Sequence, residues 1–122
     1  MNLIDNHIII RSTRSIKCLS FNSNFYKDIQ SNGLSAEYIL LRKELYIKES
    51  ILTSTKKEAI ENNFLWLIKV GVLRREVDGQ GLTSKVRLTP LGRLILEENP
   101  DLPNLKPTPL EFMKNWLFSK FF

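Results

Sequence analysis

Between residues 55 and 71 the apolar positions repeat with the roughly 3.6-residue period of an α-helix. Thr55 is followed three residues later by Glu58, the spacing of a capping box, in which each side chain accepts a hydrogen bond from the other residue's backbone N–H. Gly71 ends the helix because glycine adopts the left-handed conformation without steric cost. The pattern predicts a helix over residues 56–69. Its apolar face consists of Ile60, Phe64, Leu67, Ile68 and Gly71.

After Gly71 the sequence predicts a β-hairpin. Residues 72–77 and 82–88 predict two strands, and the segment 78–81, DGQG, is typical of the turn between them. The pairs expected for this closure are Val77 with Leu82 and Leu73 with Val86 on an apolar inner face, and Arg74 with Lys85, close to Arg87, on the outer face. Like charges that face each other across a ladder are destabilising. The outer face therefore indicates either a bound polyanion or a solvated basic surface.

Three strings follow one another in this region, GVLRREV, DGQG and KVRLTPLGRLIL. They resemble the end of the recognition helix, the wing and the following helix of winged helix-turn-helix proteins, of which the MarR-like and PadR-like bacterial regulators are nearest in pattern. The resemblance covers residues 34–98. It implies an α+β fold, mainly α with a small β-hairpin wing. It also implies a small regulator of transcription that binds double-stranded DNA.

The other segments flank this winged-helix domain. Residues 1–33 are an N-terminal extension, in which 7–10 and 16–21 predict two short strands. The alternatives are an arm that orders against DNA and a strand or helix packed on the domain. Residues 99–108 are rich in proline and predict an extended, semi-stiff connector. Residues 109–122 predict a short C-terminal helix.

Inside the domain, the sequence marks where two further helical segments begin. Ser35 is a suitable N-cap, and residues 36–50 fit either a single helix or two helices that break near Glu44. The family pattern favours the break. Thr89 followed by Pro90 predicts the start of the next helix, because proline is tolerated at the first helical position.

The candidate DNA contacts lie on the predicted helix 56–69 and on the hairpin. Lysine and arginine suit phosphates, whereas an asparagine amide can bond adenine in the major groove. Glu58 and Glu61 on the same helix oppose contact with the DNA backbone. They favour the alternative that the winged helix binds protein through Leu65, Trp66 and the C-terminal aromatic side chains. The candidate DNA-binding residues are Lys56, Lys57, Asn62, Asn63, Arg74, Arg75, Lys85 and Arg87.

The C-terminal helix carries more apolar surface than a helix can leave in water. It could pack on its own domain, pair with a second copy or lie on a membrane surface, but two lysines are few for a membrane anchor. Helix-turn-helix regulators commonly bind two half-sites as two-fold dimers. We therefore expect a homodimer. The candidate interface residues are Leu110, Met113, Trp116, Leu117 and Phe121.

The amino-acid composition argues for an anionic partner and against several classes of function. The chain has 122 residues and a net charge of +5, and residues 72–93 carry five basic and two acidic side chains. A single cysteine and a single histidine give no zinc-ligand spacing and no nucleophile–histidine pair, so we expect no enzyme, no metal and no cofactor. No run approaches the roughly 20 apolar residues of a membrane span. With no secretory signal in the first residues, the expected location is the cytoplasm.

Overall fold

The computed structural model describes residues 6–49 and 55–121. These residues form helices and one antiparallel hairpin, which confirms the coarse α+β class. The elements are α1 (Asn6–Cys18), α2 (Ser23–Asp28), α3 (Ala36–Leu41), α4 (Lys43–Tyr46), α5 (Lys57–Lys69), β1 (Leu73–Asp78), β2 (Gly81–Leu88), α6 (Pro90–Glu98), a 3₁₀ turn (Leu102–Asn104) and α7 (Pro109–Phe121).

Helix α5 lies at the centre of the core and buries the face that its sequence predicts. Ile60, Phe64 and Leu67 are fully buried. The ring centroid of Phe64 lies 5.5 Å from that of Phe21, and Phe21 stacks on Phe25 at 4.1 Å. This aromatic cluster joins α5 to α2 and to the segment between α1 and α2. The apolar face of the central helix is therefore confirmed.

The two ends of α5 differ in how well the sequence predicts them. Gly71 adopts a φ of +91° immediately after the C-cap Val70, as predicted. The predicted start is wrong, because the N-cap is Lys56, whose side chain makes no capping hydrogen bond, rather than Thr55. The helix begins at Lys57, so Glu58 lies too early in it to be the third residue of a capping box.

The N-terminal region is a packed helix, so the two predicted short strands are wrong. Ile16 is fully buried, and Ser12 Oγ donates a hydrogen bond of 2.8 Å to Val70 O at the end of α5. Ile8 and Ile10, whose β-branched side chains suggest a strand, are exposed. Packing of the serine-containing face overrides the local β propensity. The packed-helix alternative is the one that the structure contains.

Residues 36–46 form two helices rather than one, as the family pattern favours. Ser35 is the N-cap of α3, and its side chain accepts a 3.1 Å hydrogen bond from Tyr38 N. The break falls at Arg42, two residues before the predicted position, where the guanidinium stacks over the Tyr38 ring at 3.8 Å. Residues 50–54 of this region lie outside the described residues.

The hairpin keeps the predicted register at its tip and shifts at its base. Val77 pairs with Leu82 as predicted, although both side chains are exposed. Between the Val77–Leu82 pair and the Arg75–Val86 pair, β2 contains two residues more than β1. The predicted pairs beyond this irregularity, Leu73 with Val86 and Arg74 with Lys85, are therefore wrong. Leu73 pairs with Leu88, and Arg74 with Arg87. A shift of two residues preserves which face each side chain occupies, so Leu73 and Val86 stay buried.

The free edge of β2 is partly covered. Leu34 forms an antiparallel bridge to Val86, with N–O distances of 3.3 and 2.9 Å. The spatial order is therefore Leu34, β2, β1. This bridge fixes the segment before α3 against the hairpin.

The segment between α6 and α7 is only partly extended. Thr89 caps α6 by accepting a 3.0 Å hydrogen bond from Gly92 N, and Pro90 is its first residue, as predicted. Within the predicted extended connector, however, Leu102 and Pro103 are buried in a 3₁₀ turn that packs against α1. Burial of the apolar Leu102 side chain therefore packs this part of the connector against the core.

A buried polar cluster joins α1, α5 and α7. Trp66 Nε1 on α5 donates to Ser15 Oγ at 2.9 Å and to Asn115 Oδ1 at 3.3 Å. Ser15 Oγ lies 3.0 Å from Asn115 Oδ1, and both residues are nearly inaccessible to solvent. The packed position of Trp66 agrees with core packing rather than contact with a base.

We expect Trp66→Phe to lower the free energy of unfolding by about 1–3 kcal/mol, because it leaves the buried Asn115 oxygen without its indole donor. The control is Leu41→Ala, at an apolar side chain of α3 that is 79% exposed and lies outside the cluster and α7, for which a change within about 0.5 kcal/mol is expected. Urea unfolding of both variants measures the difference. Equal effects of the two substitutions would contradict a stabilising role for this cluster.

Candidate nucleic-acid interface

Four of the eight candidate DNA contacts form an exposed cationic set on two neighbouring elements. They are Lys56, Lys57, Arg74 and Lys85. Helix α5 packs against β1. The first turn of α5 and the hairpin also meet in space, because Lys57 lines the same shallow depression as Thr83 and Ser84 of β2. A polyanion could contact both elements at this surface.

Arg75 makes its polar contacts within the molecule. Its Nη2 lies 3.0 Å from Glu61 Oε2, and its Nη1 donates to Ser84 O at 2.9 Å. The guanidinium also lies 5.8 Å from the Phe64 ring centroid. Only 18% of its side chain is exposed. Arg75 therefore holds the hairpin against α5, and Glu61 neutralises its charge.

Arg87 joins the hairpin to the segment after α2. Its Nε donates to Ile29 O at 3.1 Å and its Nη2 to Gln30 O at 3.0 Å. Its Nη1 lies 3.3 Å from Glu76 Oε1 on the neighbouring strand. This partner explains how Arg74 and Arg87 can face each other across the ladder. One of the two opposed cations is paired with a carboxylate, so no external polyanion is needed to stabilise the pair.

The two asparagines of α5 lie in different environments. Asn62 is exposed, whereas Asn63 Nδ2 donates a hydrogen bond to Ser20 Oγ. Lys57 makes an exposed ion pair with Glu37 at 2.8 Å. Their hydrogen bond and opposite charges lower the pKa of Glu37 and raise the pKa of Lys57. A surface pair of this kind is weak and exchangeable, so Lys57 and Asn62 remain accessible while Asn63 does not.

Helix α7 is attached to the domain by its less apolar side. Glu111 forms an ion pair with Lys17 at 2.9 Å, and Asn115 enters the buried polar cluster. The Phe118 ring lies 5.1 Å from the Arg14 guanidinium. An isolated asparagine in an apolar helix was the available sequence signal for this orientation.

The opposite side of α7 is an exposed and mostly apolar face, which also carries Lys120 next to Trp116 and Leu117. Its apolar members, which we call the α7 apolar face, are between 41 and 71% exposed. They are Leu110, Phe112, Met113, Trp116, Leu117 and Phe121. The five predicted interface residues all belong to it.

A groove of about 530 Å³ separates α7 from the outer side of α5. Asn62, Leu65 and Lys69 line it from α5, and Phe112 and Trp116 from α7. Leu65 is 55% exposed, so the groove extends the apolar face onto the central helix. This groove was not predicted from the sequence, because it depends on where α7 docks.

Within residues 6–49 and 55–121, no group of three or more histidine, cysteine or acidic side chains could hold a metal ion. No helix in these ranges is both long and apolar enough to cross a membrane. Cys18 lies beside the α5–α7 groove, and burial raises the pKa of its thiol, which disfavours the reactive thiolate.

The fold and this surface define a small α+β domain with a partly neutralised basic hairpin and an exposed apolar C-terminal helix. The chain belongs to the Npun_F0494-like family, whose model matches residues 3–119. No curated protein and no solved structure gives a significant match.

Replacement of Arg74 and of Arg87 by alanine should have different effects on the free energy of unfolding. We expect Arg87→Ala to lower the free energy of unfolding by about 1–3 kcal/mol, because it removes the hydrogen bonds to Ile29 O, Gln30 O and Glu76, of which only Ile29 O keeps another donor, Leu88 N. Arg74→Ala, at the exposed partner position, should change it by less than about 0.5 kcal/mol. Thermal and urea unfolding measure both values. A larger loss for Arg74→Ala would contradict this division of roles.

Proposed function

We propose that the protein binds double-stranded DNA as a small regulator of transcription. The observation that carries the proposal is the exposed cationic set, of which Lys56 and Lys57 lie at the start of α5 and Arg74 and Lys85 lie on the hairpin that packs against it. Contacts of lysine and arginine with phosphate position a protein on a duplex without reading its sequence. In this arrangement the N-terminal half of α5 would approach the major groove, and the hairpin would contact the flanking backbone.

The order of elements supports a winged helix-turn-helix. Two short helices, α3 and α4, precede α5, and the hairpin follows it directly. The Leu34 bridge adds a third, one-residue strand to the edge of the hairpin. This is the order expected for the proteins that the sequence resembles, with α5 as the recognition helix and the hairpin as the wing.

The proposed contacts are fewer than the eight candidate residues. Lys56, Lys57, Arg74 and Lys85 would bind phosphates, and the exposed Asn62 would be the candidate base reader. We leave Asn63, Arg75 and Arg87 out of the proposed contacts because each is partly buried and hydrogen-bonded within the molecule. The two arginines instead set the angle of the hairpin against α5.

Four phosphate contacts per subunit predict a slope of log K against log salt of about −3.6. We expect Arg74→Glu with Lys85→Glu to abolish binding of a random duplex at low salt, since the substitutions reverse two of the four charges. Electrophoretic mobility shift and fluorescence anisotropy at several salt concentrations measure the slope and the loss.

The matched control is Lys27→Glu with Lys106→Glu, which makes the same change in net charge at exposed positions outside the proposed interface. This control should retain most of the affinity. Equal loss in both double variants would mean that net charge alone drives binding. If the wild-type protein binds no duplex at low salt, the DNA-binding proposal fails.

A second candidate function is a protein–protein interaction module. The exposed Leu65 and the α5–α7 groove favour it, because a groove between two helices that exposes apolar side chains is a typical docking surface for a peptide helix, although polar side chains also line this groove. Glu58 and Glu61 on α5 also oppose phosphate contact. The absence of duplex binding in the experiment above would favour this function.

We further propose that a second copy of the chain covers the α7 apolar face. An aromatic side chain contributes roughly 150–250 Å² of surface. Its three aromatic and three aliphatic side chains, all substantially exposed, therefore offer several hundred Å². That is comparable with the largest apolar patch of a typical monomer, about 300–600 Å², which is often a functional surface, and it is of the same order as the roughly 800 Å² per partner of a stable interface. A two-fold dimer would also present two hairpins to two half-sites.

Substitution of Met113 and Phe121 by lysine should convert the dimer to a monomer, because each lysine would place an unpaired charge in the apolar contact. Both side chains are more than half exposed, so the fold of the monomer should be retained. Sedimentation equilibrium at tens of micromolar measures the association. The control is Leu41→Lys with Leu105→Lys, which adds the same two charges at exposed apolar positions outside α7. A monomeric wild-type protein would overturn the proposed dimer.

A further inference from the structure

Glu58 belongs to the stripe of α5 that points directly away from the core. The members of this stripe are spaced four, three and four residues apart, so they share one side of the helix, and all of them are exposed. They are Glu58, Asn62, Leu65 and Lys69. The buried residues Ile60, Phe64 and Leu67 lie on the opposite side. A duplex that lies along the first two turns of α5 therefore contacts the side chains of Glu58 and Asn62.

Glu58 differs from the acidic residues around it because no cation of the protein pairs with it. Glu37 pairs with Lys57 at 2.8 Å, and Glu61 pairs with Arg75 at 3.0 Å. The ion pairs found within residues 6–49 and 55–121 do not include Glu58. The rest of the sequence, residues 1–5, 50–54 and 122, contains no lysine, arginine or histidine. The Glu58 carboxylate therefore brings its full negative charge to any duplex on α5.

A carboxylate in this position limits what the duplex can present to it. An ionised carboxylate only accepts hydrogen bonds, and phosphates repel it. The major groove offers donors at N4 of cytosine and N6 of adenine, whereas guanine and thymine present acceptors there. Adenine N6 lies beside the acceptor N7, which also repels a carboxylate, and cytosine has no second acceptor at this edge. Cytosine is therefore the base that suits Glu58 best.

We infer that Glu58 reads a cytosine in the duplex that the protein binds, by accepting a hydrogen bond from N4 in the major groove. The inference rests on the proposed DNA binding and adds a specified base to it. Asn62 follows Glu58 by four residues, a rise of about 6 Å along the helix, which corresponds to about two base pairs. The cytosine therefore lies within about two base pairs of the base that Asn62 reads, for which adenine is the expected partner.

A purely structural role for Glu58 predicts a different result. An acidic side chain in the first turn of a helix interacts favourably with the helix dipole. Loss of that interaction would lower the stability of α5 without changing which base is preferred. Base preference is therefore the measurement that separates the two roles.

The test is selection from a random duplex library, followed by sequencing, with the wild-type protein, Glu58→Gln and Glu58→Ala. In the wild-type site we expect one position to prefer cytosine, with adenine second and guanine and thymine disfavoured. Glu58→Gln should change this preference to adenine, because a glutamine amide bonds N6 and N7 of adenine. Glu58→Ala should remove the preference at that position. The other positions of the site should be the same for all three proteins.

Fluorescence anisotropy with two duplexes measures the size of the effect. One is the selected duplex, and the other has thymine in place of the cytosine. The wild-type protein should bind the thymine duplex at least about fivefold more weakly, the lower end of what a good base contact contributes. Glu58→Ala should bind the two duplexes equally, because it has no carboxylate to discriminate between a donor and an acceptor.

The matched control is Glu98→Gln, which makes the same change of charge at the exposed last residue of α6. This control should select the wild-type site. Because Glu58 is exposed, its two variants should fold as the wild type does, and circular dichroism checks that they do. A change of selected base in the control as well would mean that net charge, and not the position of Glu58, sets the preference, which would overturn the inference.

Failure of the inference is distinguishable from failure of the proposed function. If the wild-type protein binds no duplex at low salt, the proposed function fails and the inference fails with it. If it binds duplexes, but both Glu58 variants select the same bases as the wild type, DNA binding stands and the inference is overturned. A wild-type preference for guanine or thymine at the position that Glu58 controls would also overturn it, because these bases offer the carboxylate no donor.

Discussion

The structure depends on the hydrogen bonds that Trp66 Nε1 donates to Ser15 and Asn115, since they hold the central helix to both terminal helices. In a low-dielectric interior such bonds are strong, and leaving one unmade is costly. The cluster therefore fixes the orientation of α7. Because Asn115 must point inward, the apolar side chains on the remaining faces of α7 must point outward. The exposed apolar face is thus a consequence of a buried polar contact.

Ion pairs within the molecule likewise determine which basic side chains of the hairpin remain available. Arg75 and Arg87 are as basic in the sequence as Arg74 and Lys85, yet Glu61 and Glu76 pair with the first two. These pairs hold the hairpin against α5 and against the segment after α2. They also lower the positive charge that remains for an external partner. A count of basic residues therefore overstates the electrostatic attraction of this surface for DNA, and the geometry of each guanidinium decides its role.

Elements governed by local periodicity and caps were predictable from the sequence: the apolar face of α5, the stop at Gly71, the Ser35 and Thr89 caps and the hairpin tip. Features governed by tertiary contact were not. Three consecutive isoleucines favour a strand, but α1 forms because its serine face packs on α5. The irregularity of β2 has no local signature, so the base register was missed. The pairing of Arg87 with the carbonyls of residues 29 and 30 likewise depends on a contact between distant segments.

Helix α5 presents two chemically different surfaces, and this limits what can contact it. Its N-terminal turn is basic and borders the hairpin, whereas its C-terminal half forms one wall of the α5–α7 groove. Asn62 lies at the boundary, since it is exposed and also lines the groove. A duplex that reached only the N-terminal turn would leave Leu65 free for a partner at α7. A duplex inserted deeper along α5 would meet Phe112 and Trp116, whose apolar rings cannot compensate the desolvation of phosphates. The position of α7 therefore restricts any base reading to the first two turns of the central helix.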